Sequence, residues 1–209
     1  MKILSFSGKS GAGKDTAANI IVDKLTREGK TCTRLSFAKP IKDICSKIFG
    51  WDRELLNYDP NYKESNTLPS STELDPACNM LGMTRREIMQ KMGTECFRDG
   101  LHPDFWIIAM KLSILRGDYS SFDYGIITDC RFMNEINFVK EMNGTLIRID
   151  RMGDSDTLTD KNSHKSEQEW QQWEKWDLIF ENYIDVSQSQ GYNIGIMTNR
   201  LLRQMGSLI

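Results

Sequence analysis

A glycine-rich stretch near the N-terminus, FSGKSGAGKDT, contains the residue types that bind phosphate. Gly8, Gly13 and Lys14 fall on the G-x-x-x-x-G-K spacing of a phosphate-binding loop. Glycines allow successive backbone N–H groups to turn toward phosphate oxygens, and a lysine adds a mobile cation. The next position usually carries a hydroxyl but is Asp15 here, and Thr16 follows one place late. The stretch therefore predicts a nucleotide site with an unusual carboxylate beside the lysine.

Asp15 has two interpretations that the sequence leaves open. The N-terminus of a helix carries partial positive charge, so Asp15 could simply be a favourable residue at a helix start. Alternatively, its carboxylate helps to hold magnesium or the water molecules of the ion beside the phosphates. Thr16 can offer its hydroxyl or its backbone N–H to the α-phosphate. The residues predicted to bind ATP are Gly8, Gly11, Ala12, Gly13, Lys14, Asp15 and Thr16.

Strands and helices alternate along the rest of the chain. Short apolar runs predict strands, and apolar residues at helical spacing lie between them. The pattern indicates an α/β fold of the P-loop NTPase type, with a parallel sheet of about five strands flanked by helices. Because ligands of such sheets bind at the carboxyl ends of the strands, the loops that leave those ends are of most interest. These loops are 8–14, 37–39, 129–135 and the chain after 151.

We predict a single domain over residues 1–209. Within it, two segments interrupt the alternation of strands and helices. The segment 51–83 mixes Asn, Asp, Ser, Thr and Pro without periodicity, which predicts an irregular insertion. The segment 152–167 is polar and rich in aspartate, and it follows Arg151. It has the character of a lid, whose closure would exclude water from a reaction.

The composition narrows the classes of function. The chain has 209 residues, a net charge of −2 and 39% hydrophobic residues. A nearly neutral chain disfavours a nucleic-acid partner, and no apolar run is long enough to cross a membrane. The five cysteines are scattered singly, which predicts neither a disulfide framework nor a zinc site and fits a reducing cytoplasm.

Several motifs make the sequence similar to a known enzyme family. They are GKSGAGKDTAA, LSFAKPIKD, TRREIMQKMGTECFRDGLHPDFW, IITDCRFMNEINFVKEMNGTLIRIDR, HKSE and IFEN. In this order they resemble the bacteriophage-type deoxynucleoside monophosphate kinases, which are P-loop enzymes related to adenylate kinase. The resemblance covers nearly the whole chain apart from 51–83 and the C-terminal end. One departure is Arg85, because the family often has a proline before the arginine that is Arg86 here.

The resemblance implies an enzyme that transfers the γ-phosphoryl group of ATP, with Mg²⁺, to a deoxynucleoside 5′-monophosphate, giving ADP and dNDP. It also implies an acceptor-side location for 51–83, the cytoplasm of a host cell if a phage encodes the protein, and a homodimer. Such transfer depends on positioning and charge stabilisation. The predicted catalytic residues are Lys14, Asp15, Asp129, Arg131 and Arg151, and the predicted metal ligands are Asp15, Thr16 and Asp129.

The stretch DCRFMNE supplies several of these candidates. Asp129 follows an apolar strand, where P-loop proteins place a carboxylate that supports magnesium. By resemblance, Arg131 approaches a phosphate, and Asn134 or Glu135 reaches the sugar or base of the acceptor. The alternative is that Arg131 and Glu135 form an exposed ion pair beside a helix start, which would contribute little.

Further candidates are expected on the acceptor side. Arg86 and Gln90 are one helical turn apart, so a guanidinium for a phosphate and an amide for a base share one face. The alternatives are that Lys39 and Lys42 are solvated lysines and that Trp106 packs in the core. The residues predicted to bind the acceptor are Ser10, Ala38, Lys39, Lys42, Arg86, Gln90, Trp106, Asn134, Glu135 and His164.

Two other functions remain open from the sequence. One is a P-loop kinase for another small phosphorylated metabolite, in which Gln90 and Glu135 would have no base to contact. The other is a nucleotide-binding module without transfer activity, which the missing hydroxyl residue at position 15 favours. The number of arginines on the acceptor side opposes the second alternative.

Overall fold

The structure is a computed structural model that describes residues 1–152, 169–183, 187 and 189–206. The chain forms two compact units. The first unit comprises Met1–Ser36 with Ser113–Ile209, and the second comprises Phe37–Leu112. That the chain acts as a single domain stays a prediction.

The first unit contains a five-stranded sheet in which every neighbouring pair is parallel. The strand order is β2-β3-β1-β4-β5. The strands are β1 (Lys2–Ser7), β2 (Cys32–Leu35), β3 (Tyr124–Ile127), β4 (Thr145–Met152) and β5 (Leu178–Tyr183). The central position of β1 and β3 explains their apolar character, because strands covered on both faces are buried at successive residues. The predicted α/β fold with a parallel sheet of five strands is confirmed.

Helices occupy most of the remaining described chain. The α-helices are α1 (Lys14–Arg27), α2 (Lys39–Phe49), α3 (Arg53–Tyr58), α4 (Pro60–Glu64), α5 (Pro76–Leu81), α6 (Arg85–Gln90), α7 (Phe105–Leu115), α8 (Met133–Glu141) and α9 (Gln190–Met205). A π-helix spans Lys91–Asp99, and a 3₁₀ helix spans Glu169–Gln172. No α-helix within the described ranges combines the length and the apolar character that a bilayer crossing requires.

The core of the first unit forms where α1 and α9 cover the sheet. Ala17, Ile21 and Leu25 repeat at helical spacing on α1 and are buried. They belong to the same cluster as Phe6 of β1 and Leu201 of α9. This packing fixes the start of α1 against the carboxyl end of β1, where the glycine-rich loop runs.

In the second unit the prediction of an irregular chain over 51–83 is wrong. The segment contains α3, α4 and α5, and an aspartate caps the start of each. Asp52, Asp59 and Asp75 each accept hydrogen bonds from two backbone N–H groups of the helix that follows. Proline at the first position of α4 and α5 strengthens this signal, but helices of five or six residues are too short to show a periodic apolar pattern.

The start of α6 is capped without a proline at position 85. The Thr84 side chain accepts from the backbone N–H of Glu87, and the Glu87 carboxylate accepts from that of Thr84. This reciprocal capping begins the helix without proline. The α-helix that begins at Arg85 ends at Gln90, where the chain continues as the π-helix.

Candidate nucleotide-binding site

The glycine-rich loop connects β1 to α1 in a conformation that depends on glycine. Gly8 and Gly13 have φ values of 145° and 97°. A side chain on Gly8 would collide with the backbone carbonyl oxygen of Ile149 on the neighbouring strand β4. The loop therefore lies against the end of the sheet and leads directly into the positive end of a helix, which is the arrangement that binds phosphate.

Lys14 reaches back over this loop. Its Nζ atom donates to the carbonyl oxygens of Gly8 at 2.8 Å and Lys9 at 2.7 Å, and the residue is only 9% exposed. Burial, followed by the charge of Arg131, lowers the pKa of Lys14 to about 8, although the carboxylates of Asp15 and Asp129 oppose that shift. Lys14 is thus a partly desolvated cation that can turn toward a phosphate.

The two carboxylates that act on Lys14 have different surroundings. Asp15 is exposed in the first turn of α1. Asp129 follows β3 and accepts a hydrogen bond from Ser36 Oγ at 2.7 Å. Among the described residues no group of three or more His, Cys, Asp or Glu side chains could enclose a metal ion. Magnesium is usually held by one or two carboxylates together with substrate phosphates and water, so oxygen donors of this kind fit it.

Arg131 and Arg151 approach the same loop. Arg131 is close enough to Lys14 to lower its pKa. Arg151 lies at the end of β4, and a Cβ atom placed on Gly11 would be 3.8 Å from its Nη1 atom. The structure therefore gathers all five predicted catalytic residues around the loop. Ser10 and Gly11 are exposed there, Ala12 is buried, and Thr16 is partly buried in the first turn of α1.

Glu135 lies at the start of α8 and is buried. One carboxylate oxygen accepts from the backbone N–H groups of Arg131 at 2.8 Å and Phe132 at 3.1 Å. Glu135 therefore shapes the loop that carries Arg131, and the alternative of an exposed ion pair is wrong. Asn134 lies in the first turn of the same helix and is partly buried. Acceptor contacts by Asn134 and Glu135 stay predictions.

The second unit carries the predicted acceptor residues near the start of α2. Ala38 precedes the helix, and Lys39 is exposed and pairs with Asp43 at 2.8 Å. Lys42 donates to Asn57 Oδ1 at 3.3 Å. These contacts favour neither interpretation of the lysines, because a partner on the surface can be exchanged for a ligand.

On α6 the two predicted acceptor residues are accessible. Arg86 is half-buried and forms an ion pair with Glu64, and Gln90 is partly exposed at the end of the helix. Trp106 is different, because it is buried and its Nε1 atom donates to the Gly93 carbonyl at 2.9 Å. This geometry favours core packing over base stacking for Trp106. His164 lies outside the described residues. So does the lid predicted over 152–167, apart from its first residue.

Two polar residues that contact the candidate site escaped the sequence analysis. Ser36 donates to Asp129, and Asn182 Nδ2 donates to the Ala12 carbonyl at 3.0 Å. Both lie at or just after the carboxyl end of a strand, β2 and β5 respectively. The position of a polar residue at such an end was one available signal, and Asn182 also lies within the IFEN motif.

Comparison with known proteins adds independent observations. A family model described as deoxynucleotide monophosphate kinase matches residues 77–189. A protein of Acanthamoeba polyphaga mimivirus, provisionally named as a deoxynucleotide monophosphate kinase, is 28% identical over 95% of this chain and 97% of its own. The deoxynucleoside-5′-monophosphate kinase of Escherichia phage T5 is 26% identical over 68% of this chain and 72% of its own.

Solved structures also match this chain, and one of them is a kinase. It is a Cys-to-Ala mutant of the Mycobacterium tuberculosis APS kinase CysC, which shares 13% sequence identity with this chain. The superposition covers 98% of this chain and 96% of the other, with a TM-score of 0.40.

Proposed function

The chain belongs to the deoxynucleotide monophosphate kinase family, and on that premise we propose that it transfers the γ-phosphoryl group of ATP to a deoxynucleoside 5′-monophosphate, releasing ADP and dNDP. One observation carries the assignment of ATP as the donor. The amino group of Lys14 folds over the glycine-rich loop at the start of α1, which is the arrangement expected of a phosphate site.

The donor side works by positioning and charge. Backbone N–H groups of the loop and the Lys14 amino group hold the phosphates, and Arg131 and Arg151 stabilise the charge that spreads over the transferring group. No general base is required, since the attacking oxygen belongs to an acceptor phosphate that is already an anion. Magnesium, when bound with ATP, neutralises phosphate charge, and we assign Asp15, Thr16 and Asp129 to hold it or its water molecules.

We assign contacts with the acceptor to individual residues of the predicted set. The Arg86 guanidinium suits a phosphate dianion, since its N–H groups can bind two oxygens at once. Gln90 offers an amide for a base edge, and Lys39 adds positive charge. In the same proposal Asn134 reaches the acceptor sugar. The protein would act as a homodimer in the cytoplasm, which is that of a host cell if a phage encodes it.

A single assay separates the alternatives. The release of ADP is measured with ATP and magnesium for each common dNMP and NMP, for 5-substituted pyrimidine deoxynucleotides, and for phosphorylated metabolites that lack a base. Turnover with at least one dNMP is expected. Turnover only with acceptors that lack a base would support another small-molecule kinase. Binding of ATP without turnover on the whole panel would support a non-catalytic module.

The Lys14→Ala variant tests the phosphate site itself. Loss of the buried amino group should reduce turnover by about 10³-fold or more, by analogy with other cations directed at a transferring phosphate. The thermal midpoint should remain close to that of wild type, because removing a desolvated cation offsets the loss of its two hydrogen bonds to loop carbonyls. A variant that retains near wild-type turnover would contradict the donor-site assignment.

A further inference from the structure

We propose that Asn182 is a positioning residue that fixes the peptide between Ala12 and Gly13 and so keeps the phosphate-binding loop ready for ATP. This inference rests on the proposed function only in taking the loop as the ATP site. It assigns a role to a residue at the opposite end of the chain from the loop motif.

The contact between Asn182 and the loop is close and enclosed. Asn182 is 5% exposed at the end of β5, and its Nδ2 atom donates to the Ala12 carbonyl at 3.0 Å. A Cβ atom placed on Gly13 would be 2.7 Å from the same nitrogen. The amide of Asn182 therefore contacts both residues of one peptide, Ala12 and Gly13. Met197 of α9 packs on the same glycine, and its Cε atom would be 3.6 Å from the Cβ atom placed on Gly13.

The orientation of this peptide decides whether the loop attracts or repels an anion. In a trans peptide the C=O and N–H groups point in opposite directions. Because the Ala12 carbonyl points at Asn182, the N–H of Gly13 points away from β5. If the peptide turned over, a carbonyl oxygen would take the place of that N–H group. A loop of this kind binds phosphate only when its N–H groups face the anion.

The two neighbouring peptides are held by backbone hydrogen bonds, from the Ala12 N–H to the Lys9 carbonyl at 3.2 Å and from the Ala17 N–H to the Gly13 carbonyl at 2.9 Å, and Asn182 holds the peptide between them. Rotation of this peptide changes ψ of Ala12 and φ of Gly13; Gly13 has a φ of 97°, and glycine crosses between backbone regions at low steric cost. The hydrogen bond from Asn182 supplies a directional restraint that the glycines lack.

Asn182 can act as a fixed point because of where β5 pairs. The residue is the register partner of Arg151 on β4. Arg151 itself approaches Gly11, one residue before Ala12. Two adjacent strand ends thus meet consecutive parts of the loop, one through a charged side chain and the other through a buried amide.

The proposal is tested by titrating ATP into Asn182→Ala and Asn182→Asp without acceptor, and by measuring thermal midpoints. Asn182→Ala should weaken ATP binding about tenfold, which corresponds to about 1.4 kcal/mol. Asn182→Asp has nearly the same shape but would place a carboxylate oxygen against the Ala12 carbonyl, so its loss should be larger. The acceptor KM at saturating ATP should remain unchanged in both variants.

Leu178→Ala serves as the matched control, because Leu178 is partly buried at the other end of β5 and away from the loop. It should lower the thermal midpoint and leave ATP affinity as in wild type. The proposal is overturned if Asn182→Ala is destabilised but binds ATP normally, or if Asn182→Asp binds ATP as tightly as wild type. If Asn182→Ala does not fold, the ATP affinity of Asn182→Asp decides the test. Because binding is measured without acceptor, absence of dNMP turnover in wild type would refute the proposed function alone.

Discussion

Two neighbouring arginines at the start of α6 should respond to truncation in opposite ways. Arg85 is completely buried and pairs with Asp75 at 2.9 Å. It also donates to three backbone carbonyls, those of Tyr62, Ser65 and Thr67. Arg86 is half-buried, and its ion pair with Glu64 is exposed to solvent. We expect Arg85 to hold the second unit together and Arg86 to serve the acceptor.

The expected magnitudes differ widely. Arg85→Met would leave the buried Asp75 carboxylate without its cation, and breaking a buried pair costs about 3–5 kcal/mol. The guanidinium also lies 4.0 Å from the centre of the Tyr62 ring, and loss of that contact adds about 1 kcal/mol. Arg86→Ala removes an exposed pair, which costs about 0–1 kcal/mol. Against a total stability of about 5–15 kcal/mol, only the first change is severe.

Urea unfolding and steady-state kinetics separate the two roles. Arg85→Met should lower the urea midpoint strongly. Arg86→Ala should unfold like wild type, yet it should raise the acceptor KM or lower kcat for every accepted dNMP alike, because a phosphate carries no base information. ATP affinity should survive Arg86→Ala. If Arg86→Ala weakens ATP binding and spares the acceptor, the assignment of α6 to the acceptor is wrong.

The pH dependence gives a second check on the buried pair. Burial alone raises the pKa of Asp75, but hydrogen bonds from the Cys78 N–H, Trp51 and Arg85 lower it below the ordinary value of 3.8. A lowered pKa in the folded state stabilises the protein above that value, and the contribution is lost as the pH falls through the folded pKa. The difference between wild type and Arg85→Met should therefore shrink in acid. A constant difference from pH 7 to pH 3 would refute the role of Asp75, and the Asp75→Asn/Arg85→Met double variant should lose less than the sum of its single changes.

Three further predictions concern the donor and acceptor. Because the Lys14 pKa is about 8 and the charged form binds phosphate, kcat/KM for ATP should fall above about pH 8, and Lys14→Arg should remove that limb of the profile. Asp15→Asn should raise the magnesium concentration for half-maximal rate more than it changes ATP affinity without metal; unchanged half-saturation would favour the helix-start interpretation. Gln90→Ala should alter the ranking among dNMP bases by about 0.5–1.5 kcal/mol for the base that used the amide, and an equal loss for all bases would assign Gln90 to the sugar or phosphate.

The sequence predicted the parts of the fold that depend on local pattern. The strands of the sheet are short apolar runs, and α1 shows its buried face at Ala17, Ile21 and Leu25. The glycine-rich loop could be placed because its glycines and Lys14 lie within seven consecutive residues, 8–14. The sheet order then brings Asp129 and Arg151 to the same edge, since β3 and β4 both neighbour β1.

The helices of segment 51–83 could not be predicted from the sequence, because a residue outside the segment holds them together. Its helices are capped locally by Asp52, Asp59 and Asp75, and Asp-Pro pairs at two of these starts were visible in the sequence. Helices of five or six residues are nevertheless unstable alone, since few hydrogen bonds offset the cost of nucleation. Arg85 ties the segment together from outside it, through a side chain that a linear pattern would assign to the surface.

The candidate site likewise combines residues that lie in local motifs with residues that come from distant parts of the chain. The groups proposed to contact phosphate lie in short sequence motifs, because a few residues of one loop are enough to bind a small ligand. Groups that hold those motifs in place come from elsewhere in the chain: Ser36 contacts Asp129 across 93 residues, and Asn182 contacts Ala12 across 170. A single asparagine at a strand end has no spacing partner in sequence, so its role becomes visible only when β4 and β5 pair beside the loop. In a parallel sheet the polar residues that end each strand therefore deserve the same test as the motif itself, because the fold brings every one of those ends to one edge.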